Sequence, residues 1–236
     1  MIIDFNAHYG REIGTTAGCG VEELSRIEKS AGVDKIIASA FGGESNNQPF
    51  PGNMIRFIPI DPAFDKDQLD LEPFIKGIRI YPTYHPWDFD SPAMADLLSL
   101  AREKSSIIQV YLRLQDPRAM PPAVPSATVI EALDSIIPVN SDIRFVISGA
   151  TYLEIAANPA PFRYNNAWIE ISHVQHPINS LPKLLDIIDS SRVLYGSGAP
   201  VLYPYVGIFR ILNSPISQDI QERILTRNAI DLLGGI

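Results

Sequence analysis

Eight short apolar runs, rich in β-branched residues, recur along the chain at 2–5, 35–39, 55–60, 77–81, 107–112, 143–148, 167–172 and 192–195. Each is four to six residues long and mostly apolar or β-branched, as a strand buried on both faces favours. Helical patterns, with apolar residues three or four apart, separate several of them at 21–31, 93–104, 128–137 and 178–188. Strand and helix therefore alternate, and alternation predicts a parallel sheet. Eight strands suit a closed (β/α)8 TIM barrel better than an open doubly wound sheet. The Gly-x-Gly-x-x-Gly turn that would mark a dinucleotide fold does not follow the first strand.

Local signals agree with this α/β reading. Ser91 stands as a cap before Pro92, and Ser126 is the expected cap of the 128–137 helix. The tail, 218–233 followed by Gly234-Gly235, predicts a closing amphipathic helix with a glycine stop. The segment 41–53 is rich in Gly, Asn and Pro, and is predicted to reduce the second helix to a loop or a single turn. No repeat or linker divides the chain, so 1–236 is expected to form one domain.

Composition narrows the function. A formal charge of −8, from 19 Lys and Arg against 27 Asp and Glu with no basic cluster, disfavours a nucleic-acid partner. The opening Met1-Ile2-Ile3-Asp4 has no basic region and is interrupted early by Asp4, which predicts a cytoplasmic protein with no membrane association. One cysteine, Cys19, can close no intrachain disulfide and frames no Cys-based zinc site, so a metal would have to use His, Asp and Glu. A small-molecule ligand remains.

In such barrels the chemistry gathers at the carboxyl ends of the strands. All four histidines fall beyond predicted strand ends: His8, His85, His173 and His176. Two-residue alternation puts Asp4, Asn6 and His8 on one face, and groups Arg79 with Tyr81, Gln109 with Tyr111 and Arg113, and Glu170 with Ser172. An interior Arg79 and Glu170 either neutralise each other or serve a ligand, because an unpaired buried charge is costly. Arg113 and Arg118 could grip a carboxylate or phosphate, although Asp116-Pro117 is also an ordinary turn opener with Arg118 paired to Asp116. The aromatic stretch from Tyr81 through Tyr84 and His85 to Trp87 reads either as a lid over an organic ligand or as packing under a neighbouring loop.

Four segments carry a family resemblance. They are the opening Met1-Ile2-Ile3-Asp4-Phe5-Asn6-Ala7-His8, the strand Lys76-Gly77-Ile78-Arg79-Ile80-Tyr81-Pro82, the segment Arg192-Val193-Leu194-Tyr195-Gly196-Ser197-Gly198-Ala199-Pro200 and the closing Ile224-Leu225-Thr226-Arg227-Asn228-Ala229-Ile230-Asp231-Leu232-Leu233-Gly234. In order and spacing the chain resembles the amidohydrolase-related (amidohydrolase 2 type) TIM-barrel hydrolases. Members with intact sites are zinc-type hydrolases or nonoxidative decarboxylases acting on small organic acids, esters or lactones. The family opens Asp-x-His-x-His, where this chain has Asn6 before His8. It places histidines at the ends of the fifth and sixth strands, where this chain offers Tyr111 and Gly149. Its Gly-Ser-Asp-x-Pro aspartate, which binds metal and takes a proton from water, is replaced by Gly198.

The resemblance implies a hydrolase, or a carbon–carbon lyase, for a small carboxylate-bearing substrate, with most metal ligands replaced and no cofactor. A zinc site rebuilt from His8, His85, His173 and Glu170 is the alternative. His8 is the expected general acid or base, Glu170 its partner or a second base, and Arg79 an anion clamp. Asn6, Tyr81, His85, Gln109 and Arg113 are the remaining ligand-binding candidates. A homodimer is the family-level expectation. A noncatalytic ligand-binding or assembly protein on the same barrel is the competing reading.

Overall fold

The computed structural model describes residues 1–11, 18–41, 50–64, 76–114, 116–118 and 121–235. Its strands are β1 (Ile3–Arg11), β2 (Gly18–Cys19), β3 (Lys35–Ala40), β4 (Met54–Arg56), β5 (Ile58–Pro59), β6 (Gly77–Ile80), β7 (Ile107–Tyr111), β8 (Arg144–Ser148), β9 (Ala167–Glu170) and β10 (Val193–Leu194). One sheet runs β2-β1-β3-β4 and the other β10-β9-β8-β7-β6-β5, with only β2 antiparallel to its neighbour. Two seams join them. Phe57 N donates to Ala38 O at 2.8 Å and Ile60 N to Arg79 O at 2.9 Å, so β4 and β5 act as one strand bridging β3 to β6. On the far side Phe5 N donates to Tyr195 O at 2.9 Å and His8 N to Ala199 O at 2.8 Å, which brings β10 and the turn after it against β1. The predicted TIM barrel is thus present, closed from eight strand positions.

The helices follow the predicted pattern, with shifts. They are α1 (Val21–Ser30), α2 (Pro92–Glu103), α3 (Ser126–Val139), α4 (Tyr152–Ala157), α5 (Ser180–Leu185), α6 (Pro204–Leu212), α7 (Gln218–Glu222) and α8 (Asn228–Leu233). Ser91 caps α2, its side chain accepting from Met94 N with Pro92 in the first turn. Ser126 is not the cap of α3: Pro125 holds that place, and Ser126 instead donates to Glu154. The 178–188 pattern yields only the six-residue α5, and α6 was not read from the sequence. The closing helix is continuous, α7 passing through a π-helical turn at Arg223–Arg227 into α8 and stopping at Gly234. Residues 42–49 of the predicted 41–53 loop lie outside the described residues, and the described remainder holds no helix. No helix among the described residues is long and apolar enough to cross a membrane.

Two packed layers hold the barrel. Ile3, Phe5, Ile37, Phe57, Ile107, Val146 and Leu194 fill its interior, closed from below by Ala229, Leu232 and Leu233 of α8. A larger shell, including Ala7, Tyr9, Leu24, Ile36, Leu97 and Leu133, lies between strands and helices. This division corrects one expectation about β1. Its register against β3 steps from Asp4 opposite Ile36 to Ala7 opposite Ala38, one residue more on β1 than on β3. Such a bulge reverses which residues face inward. Phe5 is therefore interior below it and Asn6 and His8 above it, while Asp4 turns outward toward α1 rather than sharing their face.

Candidate functional site

Strand ends place one buried polar network across the barrel mouth. At its centre the guanidinium of Arg79, on β6, makes neutral contacts only. Nε donates to Gln109 Oε1 at 3.0 Å, and Nη1 serves Ser39 Oγ at 2.8 Å, His8 Nε2 at 3.0 Å and the Ala7 carbonyl at 3.0 Å. Nη2 is buried with no hydrogen-bond partner, and no carboxylate lies within ion-pairing distance among the described residues. Arg79 and Glu170 form no direct ion pair, although the charge of Arg79 acts on the carboxyl through space and lowers its pKa. Gln109 is itself fixed, donating to Ser148 Oγ at 2.7 Å and to the Phe5 carbonyl at 3.2 Å.

His8 receives that contact at Nε2, which also lies 3.1 Å from the Tyr81 hydroxyl. A guanidinium can only donate, so Nε2 is an acceptor and the ring proton sits on Nδ1. Burial, and secondarily the charge of Arg79, hold the imidazole well below its usual range. His8 is therefore neutral, and at Nε2 it has no proton to give. The sequence-based role of general acid near neutral pH is corrected on this ground. Phe41 stacks on the ring at 4.5 Å and Tyr111 meets it edge-on at 5.1 Å.

Glu170, at the end of β9, organises the opposite half. Asn6 Nδ2 donates to its Oε2 at 2.8 Å, to the Tyr111 hydroxyl at 2.6 Å and to Ser172 Oγ at 3.2 Å. Ser172 contributes its backbone N–H to Oε1, and its hydroxyl lies 3.1 Å from Oε2. Burial pushes the carboxyl up to about 7, against the lowering effect of these hydrogen bonds. A group so placed both gives and takes a proton near neutrality. Among the described residues no hydrogen bond joins Glu170 to His8; Tyr111 and Asn6 stand between them.

The other expected residues scatter. Tyr81 belongs to the network through His8 and Ser39. His85 packs near the Tyr81 ring at 6.3 Å, its Nδ1 buried without a partner. Arg113 is clamped by Glu154 at 2.8 and 3.0 Å and by the Gly149 carbonyl at 2.7 Å, which ties β7 to the Thr151–Glu154 capping box of α4. Arg118 pairs with Asp116 on the surface, as the turn reading expected, while Gln115 lies outside the described residues. The aromatic stretch packs rather than overhangs: Trp87 lies against Phe64, and the Tyr84 hydroxyl receives Leu114 N. His173 Nδ1 sits 3.0 Å from Ser172 Oγ, and burial holds its ring down at about 4; His176 is exposed.

The sequence reading missed Ser39 and Ser148, each a lone hydroxyl closing an apolar strand and facing Arg79 or Gln109. It also missed a second acidic centre. Asp4 hydrogen-bonds with buried Glu28 of α1, and Ser197 Oγ lies 2.6 Å from Asp4 and 3.1 Å from Glu28. Burial and mutual repulsion raise Glu28 to about 10, so one proton is held between the two carboxyls.

Among the described residues no three of His, Cys, Asp and Glu gather around one point. Gly149, where the resembling family carries a histidine, has φ +78°, and a Cβ there would lie 2.6 Å from Arg113 N. Gly198, where the family carries its aspartate, has φ +74°. Both backbones are left-handed, a conformation side chains other than glycine's rarely adopt.

A family model described as amidohydrolase matches residues 51–235. The 5-carboxyvanillate decarboxylase of Sphingomonas paucimobilis superposes with a TM-score of 0.75 at 12% identity, covering 100% of this chain and 99% of that one. A dihydroxybenzoic acid decarboxylase from Polaromonas, with bound manganese and the inhibitor 2-nitroresorcinol, superposes with a TM-score of 0.75 at 12% identity, over 99% and 96% of the two chains. An uncharacterized TIM-barrel protein from Bordetella bronchiseptica does so with a TM-score of 0.71 at 16% identity, over 99% and 98%. At such identities the likeness shows the fold alone. No curated protein matches the sequence.

Proposed function

The chain belongs to the amidohydrolase family, and on that footing we propose that it is an enzyme for a small carboxylate-bearing substrate, working without a divalent metal as a hydrolase or a nonoxidative carbon–carbon lyase. One observation carries this reading: the guanidinium of Arg79 lies 3.0 Å from the Nε2 of His8, the one histidine kept from the family's opening pair. A fixed cation thus engages the ring nitrogen an ion would need. Its unpartnered Nη2 offers two hydrogens to developing negative charge in a buried site, where such a donor counts most.

The roles follow from the contacts. His8, neutral, orients Arg79 together with Ser39 and Gln109. Glu170 is the acid and base, its carboxyl poised by burial at about 7. A proton leaving Oε2 passes to Ser172 Oγ as the serine's own hydrogen passes to a substrate atom resting against that hydroxyl, and the reverse transfer, from substrate to Ser172 Oγ and from Ser172 to Oε2, restores both groups. Asn6 holds Glu170 and the Tyr111 hydroxyl in register.

The test is a screen of carboxylate-bearing esters, lactones and β-keto acids with chelator-treated protein and Glu170→Gln. Turnover that survives chelation and is lost in the variant supports the reading. Turnover that requires added zinc or manganese, or persists in Glu170→Gln, overturns it. A second reading, a noncatalytic binding barrel, is favoured by the complete burial of Asn6, Arg79 and Glu170; ligand binding with no turnover in the screen would select it.

A further inference from the structure

Beside the buried network, between the turns that follow β9 and β10 and the flank of α6, lies a cavity of roughly 320 Å3. Its walls include Ser172, Gly196, Val201, Leu202, Val206 and Arg210. That volume is at the small end of pockets that hold organic ligands.

Two features of the lining point to what fits. Arg210 brings a positive charge to the cavity wall, where Glu170 acts on it through space but forms no ion pair with it. Its Nη2 donates to the Ile171 carbonyl at 2.9 Å, and its Nε is buried without a partner. No carboxylate stands within ion-pairing distance of it among the described residues. A guanidinium in such surroundings favours an oxyanion, above all a planar carboxylate that matches its fork. Val201, Leu202 and Val206 supply apolar wall for the rest of the ligand. A free phosphate would leave that wall unused and would bring up to two charges to a single cation.

The cavity also borders the network. Ser172 is shared by both, its hydroxyl 3.1 Å from Glu170 Oε2. At Gly196 a Cβ would fall 2.2 Å from Glu170 Oε1, so the wall between cavity and carboxyl is thinned to a glycine. We propose that this cavity binds a small organic carboxylate with an apolar body, its carboxylate held by Arg210 and its other end against Ser172. The proposal rests on the preceding reading for the chemistry at Ser172, but not for binding.

Binding is therefore tested without turnover, by calorimetric titration of the full chain with benzoate, benzamide and inorganic phosphate. Benzoate is expected to saturate the wild type, with benzamide at least about tenfold weaker. Arg210→Gln should weaken benzoate at least about tenfold, while Arg210→Lys, which keeps the charge, stays within a few fold. Leu202→Trp, which fills the cavity, should abolish binding, with thermal melts confirming that each variant is folded. Benzoate that fails to saturate the wild type at about 10 mM overturns the proposal. So does binding unchanged in Arg210→Gln, or phosphate binding as tightly as benzoate. Failure here with the Glu170-dependent turnover intact sinks only the cavity; binding here with no turnover sinks only the enzyme.

Discussion

Replacing Glu170 by glutamine isolates the proton that its burial retains. In the unfolded chain the carboxyl titrates near 4.5, and in the folded protein near 7. A carboxyl whose pKa is raised on folding contributes stability that is fully present below the unfolded value and lost as pH rises through the folded one. From pH 5 to 7 the wild type should therefore lose about 2 kcal/mol at this residue, the slope approaching about 1.4 kcal/mol per pH unit midway and falling to half of that at pH 7. Glutamine does not titrate, so other groups, Asp4 and Glu28 among them, cancel when the two proteins are compared. The variant should fold. Its amide nitrogen would meet Asn6 Nδ2, now 2.8 Å from Oε2, but Asn6 can flip to present its unpartnered Oδ1, and the Tyr111 hydroxyl can turn to donate. Urea unfolding at pH 5, 6, 7 and 8 reads the effect: the variant should gain on the wild type by about 2.5 kcal/mol across the series, mostly below pH 7. A gap that stays constant with pH would refute the claim that Glu170 retains a proton near neutrality.

Three further outcomes are expected. Glu28→Gln removes the upper member of the Asp4 pair while keeping a hydrogen-bond donor; because Glu28 is raised to about 10, the wild type should lose ground to the variant in melting temperature steadily from pH 6 to pH 9, and parallel curves would argue against a shared proton. Gly196→Ala forces a Cβ to 2.2 Å from Glu170 Oε1, an overpacking of about 2 kcal/mol, seen as a fall of about 6 °C in a thermal melt; an unchanged melt would mean that the carboxyl is not held against the turn. Arg113→Ala breaks the two contacts to Glu154 and should destabilise the fold by about 2 kcal/mol in urea without altering benzoate affinity, whereas weakened benzoate binding would return Arg113 to the ligand-binding set.

The strand positions were legible because a barrel strand buried on both faces reads as a short, nearly continuous apolar run, and eight such runs alternate with helical patterns. Asn6, Arg79, Tyr81, Gln109 and Glu170 were legible as the polar exceptions within or closing those runs, and all of them meet in one network. Arg113 was read from the same alternation but packs into a cap of α4, because strict alternation says which face a residue takes and not how far its side chain reaches. The face of Asp4 was not legible: one inserted residue reverses the alternation, and nothing in Asp4-Phe5-Asn6 marks the insertion. Helix α6 and the Arg210 cavity went unread, since an arginine on an otherwise apolar helix has the look of a surface residue until the turns after β9 and β10 are folded against it.

The replacements at the mouth make sense together. A metal does two jobs in a hydrolytic site, stabilising negative charge and lowering the pKa of bound water. Arg79 can do only the first, because a guanidinium keeps its charge but does not bind water as a ligand acid. On the metal-free reading proposed above, an aspartate at position 198 would have no metal-bound water to complement. The proton then has to be handled by a group whose own affinity lies near neutrality, and burial gives Glu170 that property. The same burial keeps His8 neutral and able to accept from Arg79. Reverting one position alone, such as Asn6→His, would remove Nδ2 from Glu170 and Tyr111 while leaving Arg79 against His8 and glycine at 149 and 198. That substitution should cost stability and gain no stoichiometric zinc in elemental analysis, and a variant that came away from purification loaded with zinc would show that the arginine yields the site to an ion after all.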